Sequence, residues 1–308
     1  MVFIPSVSRI KGMKKIVDID PKNPLKEFEY TGFQASNIHT AVEIIKKMKK
    51  KNAKMFFSFT SNMMASGLRG IFTQMAKEKL IDVVITAGGS IDHDLIRSYT
   101  DYYLGDFNLD DRELHKKEIN RIGNILVPNK AYEVLEEKIK PIFEMVYSKE
   151  KIVSPSGLIM EIGNSIENKN SFLYWCSRNN IPVFCPGITD SAIGLQTYFF
   201  KQKHKDFGID VTKDMKNLAD VVLNADKTGG IILGGGISKH HAIGVNILRG
   251  GLDYAVYVTT SSPWDGSLSG ARTNEAVSWG KINKKANSVT VDGDATVVFP
   301  LIYYNLRK

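Results

Sequence analysis

Apolar residues along the chain alternate between a helical spacing and short continuous runs. Val42, Ile45 and Met48 recur at the period of a helix across residues 41–51. Short apolar runs closed by turn residues are typical of buried strands, and five occur, at residues 54–59, 82–86, 181–185, 230–233 and 254–259. Apolar strands separated by helices indicate a parallel sheet covered on both faces. The pattern therefore predicts an α/β fold with a doubly wound, mostly parallel sheet and helices on both faces.

Small and polar residues follow each predicted strand. They are Ser61 with Asn62, Thr86 to Gly88, Thr189 with Asp190, Gly234 to Gly236, and Thr260 with Ser261. In open parallel sheets, ligands bind outside the carboxyl ends of the strands. These turns therefore predict a ligand site along one edge of the sheet. The usual G-x-G-x-x-G turn is absent from the first strand–helix unit, so a dinucleotide would bind in a non-standard way.

Composition and charge narrow the class of protein. Apolar residues make up 43% and charged residues 24% of the 308 positions, which are ordinary values for a globular protein. No apolar run approaches the roughly 18 residues of a membrane span, and the N-terminus lacks the apolar region of a signal peptide. Cys176 and Cys185 have no metal-type spacing, which favours a reducing cytoplasm and no metal site. No repeat or linker interrupts the pattern, so residues 1–308 are predicted to form one domain.

The positive charge does not indicate a nucleic-acid site. The net charge is +8, but it is spread along the chain. The densest basic run, residues 46–54, falls on the solvent side of a predicted helix and has no interleaved aromatic residues on which bases would stack. We therefore expect neither nucleic acid nor membrane as a partner.

Two segments carry candidate chemistry. Three glycines, 234–236, separate a predicted strand from a helix that carries Lys239 and His240, an arrangement that lets backbone amides approach a phosphate. Glu275, Trp279 and Lys281 place a carboxylate, an aromatic ring and an amine within seven residues, a combination suited to an alkylamine. One segment thus indicates a nucleotide and the other indicates amine chemistry.

Seven segments carry longer motifs: TGFQASN at 31–37, TSN at 60–62, TAGG at 86–89, RIGNILVPN at 121–129, PVF at 182–184, GGGISKHH at 234–241 and EAVSWGKI at 275–282. In these segments the chain resembles the deoxyhypusine synthase family. The resemblance runs from about residue 25 to the C-terminus, which divides the domain into an N-terminal extension, 1–25, and a catalytic, Rossmann-like NAD-binding core, 26–308. The short, lysine-rich chain is more similar to archaeal members than to eukaryotic ones.

The resemblance implies a reaction and partners. Members of the family transfer the aminobutyl group of spermidine to one lysine of the translation initiation factor 5A precursor and release 1,3-diaminopropane. NAD takes a hydride from spermidine and returns it at the end. Family members are homotetramers built from dimers, with active sites at the dimer interface, and the same assembly is expected here.

Roles follow for residues at matching positions. The resemblance implies that Lys281 holds the aminobutyl group as an imine and that His240 lines the amine pocket, where an imidazole can relay protons or accept a hydrogen bond. The substrate-binding residues implied are Glu275, Trp279, Asp265, Gly266, Ser267 and Asp92. The NAD-binding residues implied are Ser61, Asn62, Thr86, Ala87, Gly88, Asp190, Gly235, Thr260, Ser261, Asp294 and Ala295. Imine formation requires a neutral amine, and a lysine with an ordinary pKa is neutral in about one molecule in 2,500 at pH 7. The site must therefore lower the pKa of Lys281 by desolvation or by nearby positive charge.

The amine site also departs from the eukaryotic pattern. Leu195 and Leu268 occupy positions where eukaryotic members have aspartates, so compensation is expected from Asp92, Asp94 or Asp265. Lys239 is predicted to face solvent or a helix end.

Two other functions remain open. One is a polyamine aminobutyltransferase similar to homospermidine synthase, because only the acceptor differs. The other is a non-catalytic NAD-binding paralogue, against which Lys281, Glu275 and Trp279 argue.

Overall fold

The computed structural model describes residues 15–20 and 24–307. Its strands are β1 Lys54–Phe59, β2 Val83–Thr86, β3 Tyr103–Leu104, β4 Ile119–Ile122, β5 Ile125–Pro128, β6 Ile152–Val153, β7 Val183–Phe184, β8 Gly208–Ile209, β9 Thr228–Leu233, β10 Leu252–Thr259 and β11 Ile282–Asp292. Its α-helices are α1 Gln34–Lys50, α2 Ser61–Ala65, α3 Leu68–Lys77, α4 Gly88–Ile96, α5 Asp111–Lys116, α6 Lys130–Lys149, α7 Pro155–Ser165, α8 Phe172–Arg178, α9 Ala192–Lys203, α10 Val211–Leu223, α11 Gly236–Val245, α12 Thr273–Ser278 and α13 Ala295–Leu306. Short 3₁₀ helices span Pro24–Tyr30 and Asn246–Arg249.

Six parallel strands form the main sheet, in the order β11-β10-β9-β1-β2-β7. The strands that come first in the chain, β1, β2 and β7, follow one another toward one edge of the sheet. The later strands, β9, β10 and β11, follow one another from β1 toward the other edge. This is the doubly wound arrangement, and its strand order reverses between β1 and β9. The predicted fold class is therefore confirmed. A crevice is expected at the reversal, because the connections from the two strands leave in opposite directions.

The predicted strands agree closely with the observed ones, and β1 has the predicted bounds. The helix expected at 41–51 starts earlier, at Gln34, and ends at Lys50. Strand β11 was not predicted, because Lys284 and Lys285 are exposed on it and break the apolar run. Two small sheets, β3-β5-β4 and β6-β8, also lie outside the prediction. Most of the expected N-terminal extension, residues 1–25, falls outside the described residues.

The two faces of the sheet have different cores. On one face, rings of Phe57, Phe59, Phe72, Phe172 and Phe299 meet at centroid distances of 4.6–6.4 Å. Such aromatic contacts bury large areas and stabilise the sheet against the helices above it. The other core includes Ile232, Ala255 and Tyr257, packed beside residues of α11 and α12. Within residues 15–20 and 24–307, no helix has both the length and the apolar character needed to cross a membrane.

Candidate functional site

A crevice of about 250 Å³ opens at the carboxyl ends of β1, β9, β10 and β11. It therefore lies at the reversal of strand order, where doubly wound proteins bind ligands. Its lining includes Asn62, Gly235, Thr260, Ser261, Asp294 and Ala295, six of the residues predicted to contact a cofactor. The strands bring these residues together from positions more than two hundred residues apart in the chain.

The glycine turn after β9 is required by close packing. Gly234 and Gly236 have φ of 79° and 64°, in the left-handed region that favours glycine. Gly235 lies against Ser269: a Cβ placed on it would be 2.3 Å from the Ser269 Oγ and 2.5 Å from the Ser269 Cα. The Gly236 N–H donates to the same Oγ at 3.1 Å. The loop of residues 262–271, called here the 262–271 loop, therefore packs directly on the turn.

Side chains at the crevice are fixed by local hydrogen bonds. The Asp294 carboxylate caps α13 by accepting from the Thr296 N–H at 2.6 Å. The Thr60 hydroxyl donates to Asn62 Oδ1 at 2.6 Å at the start of α2. The Asp294 cap satisfies a backbone donor at the start of α13, whereas the side chains of Thr60 and Asn62 bond to each other.

The remaining predicted cofactor residues gather beside the crevice, at the ends of β1, β2 and β7. A Cβ on Gly88 would be 2.5 Å from the Ser191 Cβ and 3.2 Å from the Asp190 oxygen, and one on Gly89 would be 3.0 Å from the Ser61 Cβ. Turns at the starts of α2, α4 and α9 are therefore in contact. Thr86 is fully buried, and its hydroxyl donates to the Phe59 carbonyl at 2.8 Å. The Thr86 side chain therefore stabilises the core, and the backbone turn at Ala87 begins α4.

Asp92, predicted to bind substrate, is buried in α4 and is not among the residues that line the cavity at Lys281. Its two carboxylate oxygens accept from the N–H groups of Ala192 (2.8 Å) and Ile193 (3.0 Å), at the start of α9. Burial raises the pKa of the Asp92 carboxyl to about 6. The carboxylate thus anchors α9 behind Asp190, because it satisfies the free N–H groups of the first helical turn.

Asp94 is also committed to the fold. Its carboxylate, fully buried, accepts from Arg69 Nε at 2.6 Å and from the Ser171 hydroxyl at 2.6 Å. The backbone N–H groups of Phe172 and Leu173 donate to it as well, at 3.1 Å and 2.8 Å. Two of the three acids expected to compensate for Leu195 and Leu268 are therefore structural.

A second cavity, of about 330 Å³, holds the predicted amine-handling residues. It lies between α11, β10, the 262–271 loop and α12. It is lined by Lys239, His240, Ile243, Tyr257, Gly266, Leu268, Ala271, Arg272, Glu275, Ala276, Trp279 and Lys281. The fold thus brings His240 and Gly266 next to the Glu275–Lys281 segment. Asp265 and Ser267 lie in the same loop but are exposed, with the Ser267 N–H donating to Asp265 Oδ1 at 2.8 Å.

Lys281 is held between α12 and the sheet. Its N–H donates to the Ala276 carbonyl at 3.0 Å, and its carbonyl accepts from the Leu252 N–H at 3.1 Å. The Nζ atom lies 5.4 Å from the centroid of the Trp279 ring. Trp279 is 68% exposed, so the ring forms a rim of the cavity rather than part of the core.

Lys239 is buried, contrary to the expectation that it faces solvent. Its residue is 1% exposed, and Nζ donates to the Ala271 carbonyl at 2.7 Å while lying 4.5 Å from the centroid of the Tyr257 ring. Desolvation by burial lowers the pKa of the Lys239 ammonium to about 8, and Arg272 lowers it further while Glu275 opposes the shift. The sequence does contain a signal, since Lys239 shares the apolar stripe of α11 with Ala242 and Ile243.

Positive groups outnumber carboxylates around this cavity. Lys239, Arg272 and Lys281 line it together with one carboxylate, that of Glu275. Arg272 is paired with Asp292 at 2.5 Å, which offsets part of its charge. Leu268 packs against the apolar cluster under α11 and α12. The wall that would carry an acid in the eukaryotic pattern is therefore apolar.

Lys281 and the crevice lie at opposite ends of the same strands. Ile282, next to Lys281, pairs with Leu252 at the start of β10, and Asp292 pairs with Thr259 at its end. Seven steps along a strand at about 3.3 Å each amount to about 23 Å. Within one chain the Lys281 backbone therefore lies about 23 Å from the crevice, although the cavity it lines extends to Tyr257 near the crevice end of β10. In the described part of the chain, no group of three or more His, Cys, Asp or Glu is arranged to hold a metal ion.

The fold defines a doubly wound α/β protein with a crevice at the reversal of strand order and a second cavity lined by Lys239, Glu275 and Lys281. The family model for deoxyhypusine synthase matches residues 24–306, and the chain belongs to this family of enzymes.

Relatives support the assignment. The chain is 48% identical over 272 residues to a probable deoxyhypusine synthase of Thermoplasma acidophilum, covering 88% of each chain. It is 42% identical to the deoxyhypusine synthase of Senecio vernalis, covering 96% of this chain and 88% of that one. Among solved structures, it is similar to that of a putative deoxyhypusine synthase from Entamoeba histolytica, with a TM-score of 0.68, 26% identity and coverage of 95% and 96%.

Proposed function

We propose that the chain is a deoxyhypusine synthase, which transfers the aminobutyl group of spermidine to a lysine of the translation initiation factor 5A precursor. The observation that carries the proposal is the cavity in which Lys281, Glu275, Trp279 and His240 meet. Membership of the family and the separate crevice at the reversal of strand order support it. As a member of this family the protein is a transferase, and its two buried free cysteines suit the reducing cytoplasm where we place it.

The crevice is suited to NAD, which supplies reversible hydride acceptance from the carbon next to the donor nitrogen. Its position at the strand reversal and its lining of backbone turns match a dinucleotide site. Asn62, Gly235, Thr260, Ser261 and Asp294 would hold the dinucleotide. The turns around Ser61, Gly88 and Asp190 lie beside them and would contact its other end.

Lys281 acts as the nucleophile. The donor carbon would first lose a hydride to bound NAD and become an imine carbon. The Lys281 amine adds to it, 1,3-diaminopropane leaves, and the aminobutyl group remains on Nζ as an imine. The acceptor lysine then replaces Lys281 at that carbon as a new imine and frees the Lys281 amine, and return of the same hydride would reduce this imine to the product amine. The Trp279 ring beside Nζ shields one side of the amine from water.

Glu275 and His240 bind and orient the donor. The Glu275 carboxylate pairs with the terminal ammonium of the aminobutyl group, since an anion and an ammonium form a charge-assisted hydrogen bond. His240 lines the cavity and exchanges protons with the leaving amine, because an imidazole ring nitrogen can accept or donate a proton. Asp265, Gly266 and Ser267 contact the outer part of the donor from the 262–271 loop.

The active enzyme is a homotetramer built from dimers, with each site completed by a second copy. This assembly brings the Lys281 amine of one copy to the crevice of another, because about 23 Å of strand separates the Lys281 backbone from the crevice within a single chain. Mixing a Lys281→Ala chain with a chain disabled in the crevice by Gly235→Ala tests it. Activity recovered in the hybrid supports the shared site, and two inactive parents that stay inactive on mixing oppose it.

Covalent trapping tests the function itself. The protein is incubated with NAD and spermidine, reduced with borohydride, and the intact chain is weighed. We expect a gain of one aminobutyl group at Lys281, absent from Lys281→Ala and present in the matched exposed-lysine variant Lys285→Ala. An adduct that forms undiminished in Lys281→Ala would refute the assigned nucleophile.

Acceptor assays separate this function from its alternatives. Transfer to the factor 5A precursor supports a deoxyhypusine synthase. An adduct that discharges only to free polyamines indicates a homospermidine synthase-like enzyme. Binding of NAD without any adduct indicates a non-catalytic paralogue.

A further inference from the structure

Lys239 occupies an unusual position for an ammonium group. It lies on α11 under the floor of the Lys281 cavity, almost without solvent exposure. A buried ammonium is costly unless hydrogen bonds and favourable charges compensate it. One compensation is the Ala271 carbonyl, 2.7 Å from Nζ, and another is the face of the Tyr257 ring, 4.5 Å away. Neither role assigned to the cavity so far uses this group.

The Ala271 contact secures the end of a loop. The 262–271 loop forms one wall of the cavity through Gly266, Leu268 and Ala271. Its last residues are also held by turn hydrogen bonds, from the Gly270 N–H to Ser267 at 3.1 Å and from the Ala271 N–H to Leu268 at 3.2 Å, and by the Ser269 carbonyl, which accepts from the Thr259 hydroxyl at 3.3 Å. A carbonyl bonded to a rigid helix fixes where this wall lies relative to α11.

The charge of Lys239 also acts on the only carboxylate that lines the cavity within the described residues. Glu275 on α12 favours the protonated Lys239, whereas Arg272 disfavours it. His240 on α11 and Lys281 before β11 line the same cavity, and Tyr257 faces Lys239 from β10. An ammonium that is stabilised by Glu275 competes with any cationic ligand for that carboxylate.

We propose that Lys239 is a positioning residue of the amine cavity: its ammonium fixes the 262–271 loop through Ala271, and its charge opposes the binding of a cationic amine at Glu275. The inference rests on the proposed function only for the identity of the amine. Loss of the Lys239 proton then strengthens donor binding, and by linkage a bound donor favours loss of that proton.

The pH dependence has a defined direction. Because the pKa of Lys239 is lowered to about 8, the group is mostly protonated near pH 7 and mostly neutral near pH 9. The affinity for the donor therefore rises between pH 7 and pH 9 by more than the titration of the donor's own amines explains. A coupling of one pKa unit corresponds to roughly a tenfold change in affinity.

Three variants separate the two parts of the proposal. Lys239→Met has a similar length but neither charge nor donor. Lys239→Gln has no charge but retains an N–H donor, and it also serves if the methionine variant fails to fold. Lys284→Met removes an exposed lysine of β11 as a matched control.

Hydrogen exchange of the Gly270 and Ala271 amides measures the loop. We expect exchange to be faster by about tenfold or more in Lys239→Met, with rates near those of the wild type in Lys239→Gln and Lys284→Met. Unchanged rates in a folded Lys239→Met would overturn the positioning role. This readout does not depend on any reaction.

Calorimetry of spermidine binding near pH 7 and near pH 9 measures the charge. We expect the rise in affinity with pH to be roughly tenfold smaller in both Lys239 variants than in the wild type or Lys284→Met. Equal pH dependences, or no binding of spermidine to any of these proteins, would overturn the charge effect. A wild type that binds spermidine but never forms the Lys281 adduct would instead refute the proposed function and leave this inference standing.

Discussion

Replacing Asp94 tests whether this carboxylate serves the fold or the ligand. Asp94→Ala removes the acceptor for Arg69, for the Ser171 hydroxyl and for the two N–H groups that begin α8. Arg69 is 8% exposed, so its guanidinium would be left without its carboxylate partner in a buried position. Breaking a buried ion pair by removal of one partner costs about 3–5 kcal/mol, because the remaining charge is uncompensated. We therefore expect Asp94→Ala to lower the free energy of unfolding by about 3–5 kcal/mol, out of a typical total of about 5–15 kcal/mol.

Urea unfolding followed by circular dichroism measures this loss, with Asp265→Ala as the control. Asp265 is exposed, and the hydrogen bond described for its side chain is local, to the Ser267 N–H, so its removal should change stability by less than about 0.5 kcal/mol. An Asp94→Ala protein with wild-type stability and a large rise in spermidine KM would refute the structural role. It would return Asp94 to the group of acids that compensate for Leu268.

Three further changes have defined outcomes. Gly235→Ala should weaken NAD binding at least tenfold in calorimetry, because the new Cβ would collide with Ser269; unchanged affinity would contradict this packing. Asp294→Ala should lower the free energy of unfolding by about 1 kcal/mol in urea, since it removes the cap of α13, and a neutral effect would show that the cap is dispensable. Asp92→Asn should abolish one pH dependence of the free energy of unfolding. The pKa of the Asp92 carboxyl is raised from 3.8 to about 6 in the folded protein, so the folded state holds this proton more tightly than the unfolded state. The free energy of unfolding of the wild type should therefore fall as the pH rises between these two values. An unchanged slope in the variant would assign the effect to another group.

The main sheet was predictable because its central strands are buried on both faces. Continuous apolar runs such as 54–59 arise when helices cover both sides of a strand. Their short length favours a strand over a buried helix. Strand β11 lies at the edge of the sheet, where one side of the backbone is unpaired and side chains such as Lys284 and Lys285 reach solvent. Its pattern resembles that of a surface loop, which explains the missing prediction.

The candidate site was predictable only where its residues are close in sequence. Glu275, Trp279 and Lys281 lie within seven residues of the sequence, so it follows from their proximity in the chain that they line one cavity. Asp92 and Asp94 were assigned to the ligand because an acidic residue near a motif does not reveal its partners. Those partners are Arg69 on α3, 25 residues earlier in the chain, and groups at the starts of α8 and α9, between 77 and 101 residues further along it.

The 262–271 loop is in contact with both the crevice and the cavity. Ser269 packs on the glycine turn of the crevice, and Ala271, two residues later, is bonded to Lys239 in the cavity wall. A ligand that shifts the loop at one site changes the free energy of binding at the other, and the effect must be equal in both directions. The order in which cofactor and amine bind is therefore expected to be a property of this loop. Cooperativity between the two ligands can then be altered by substitutions that touch neither of them.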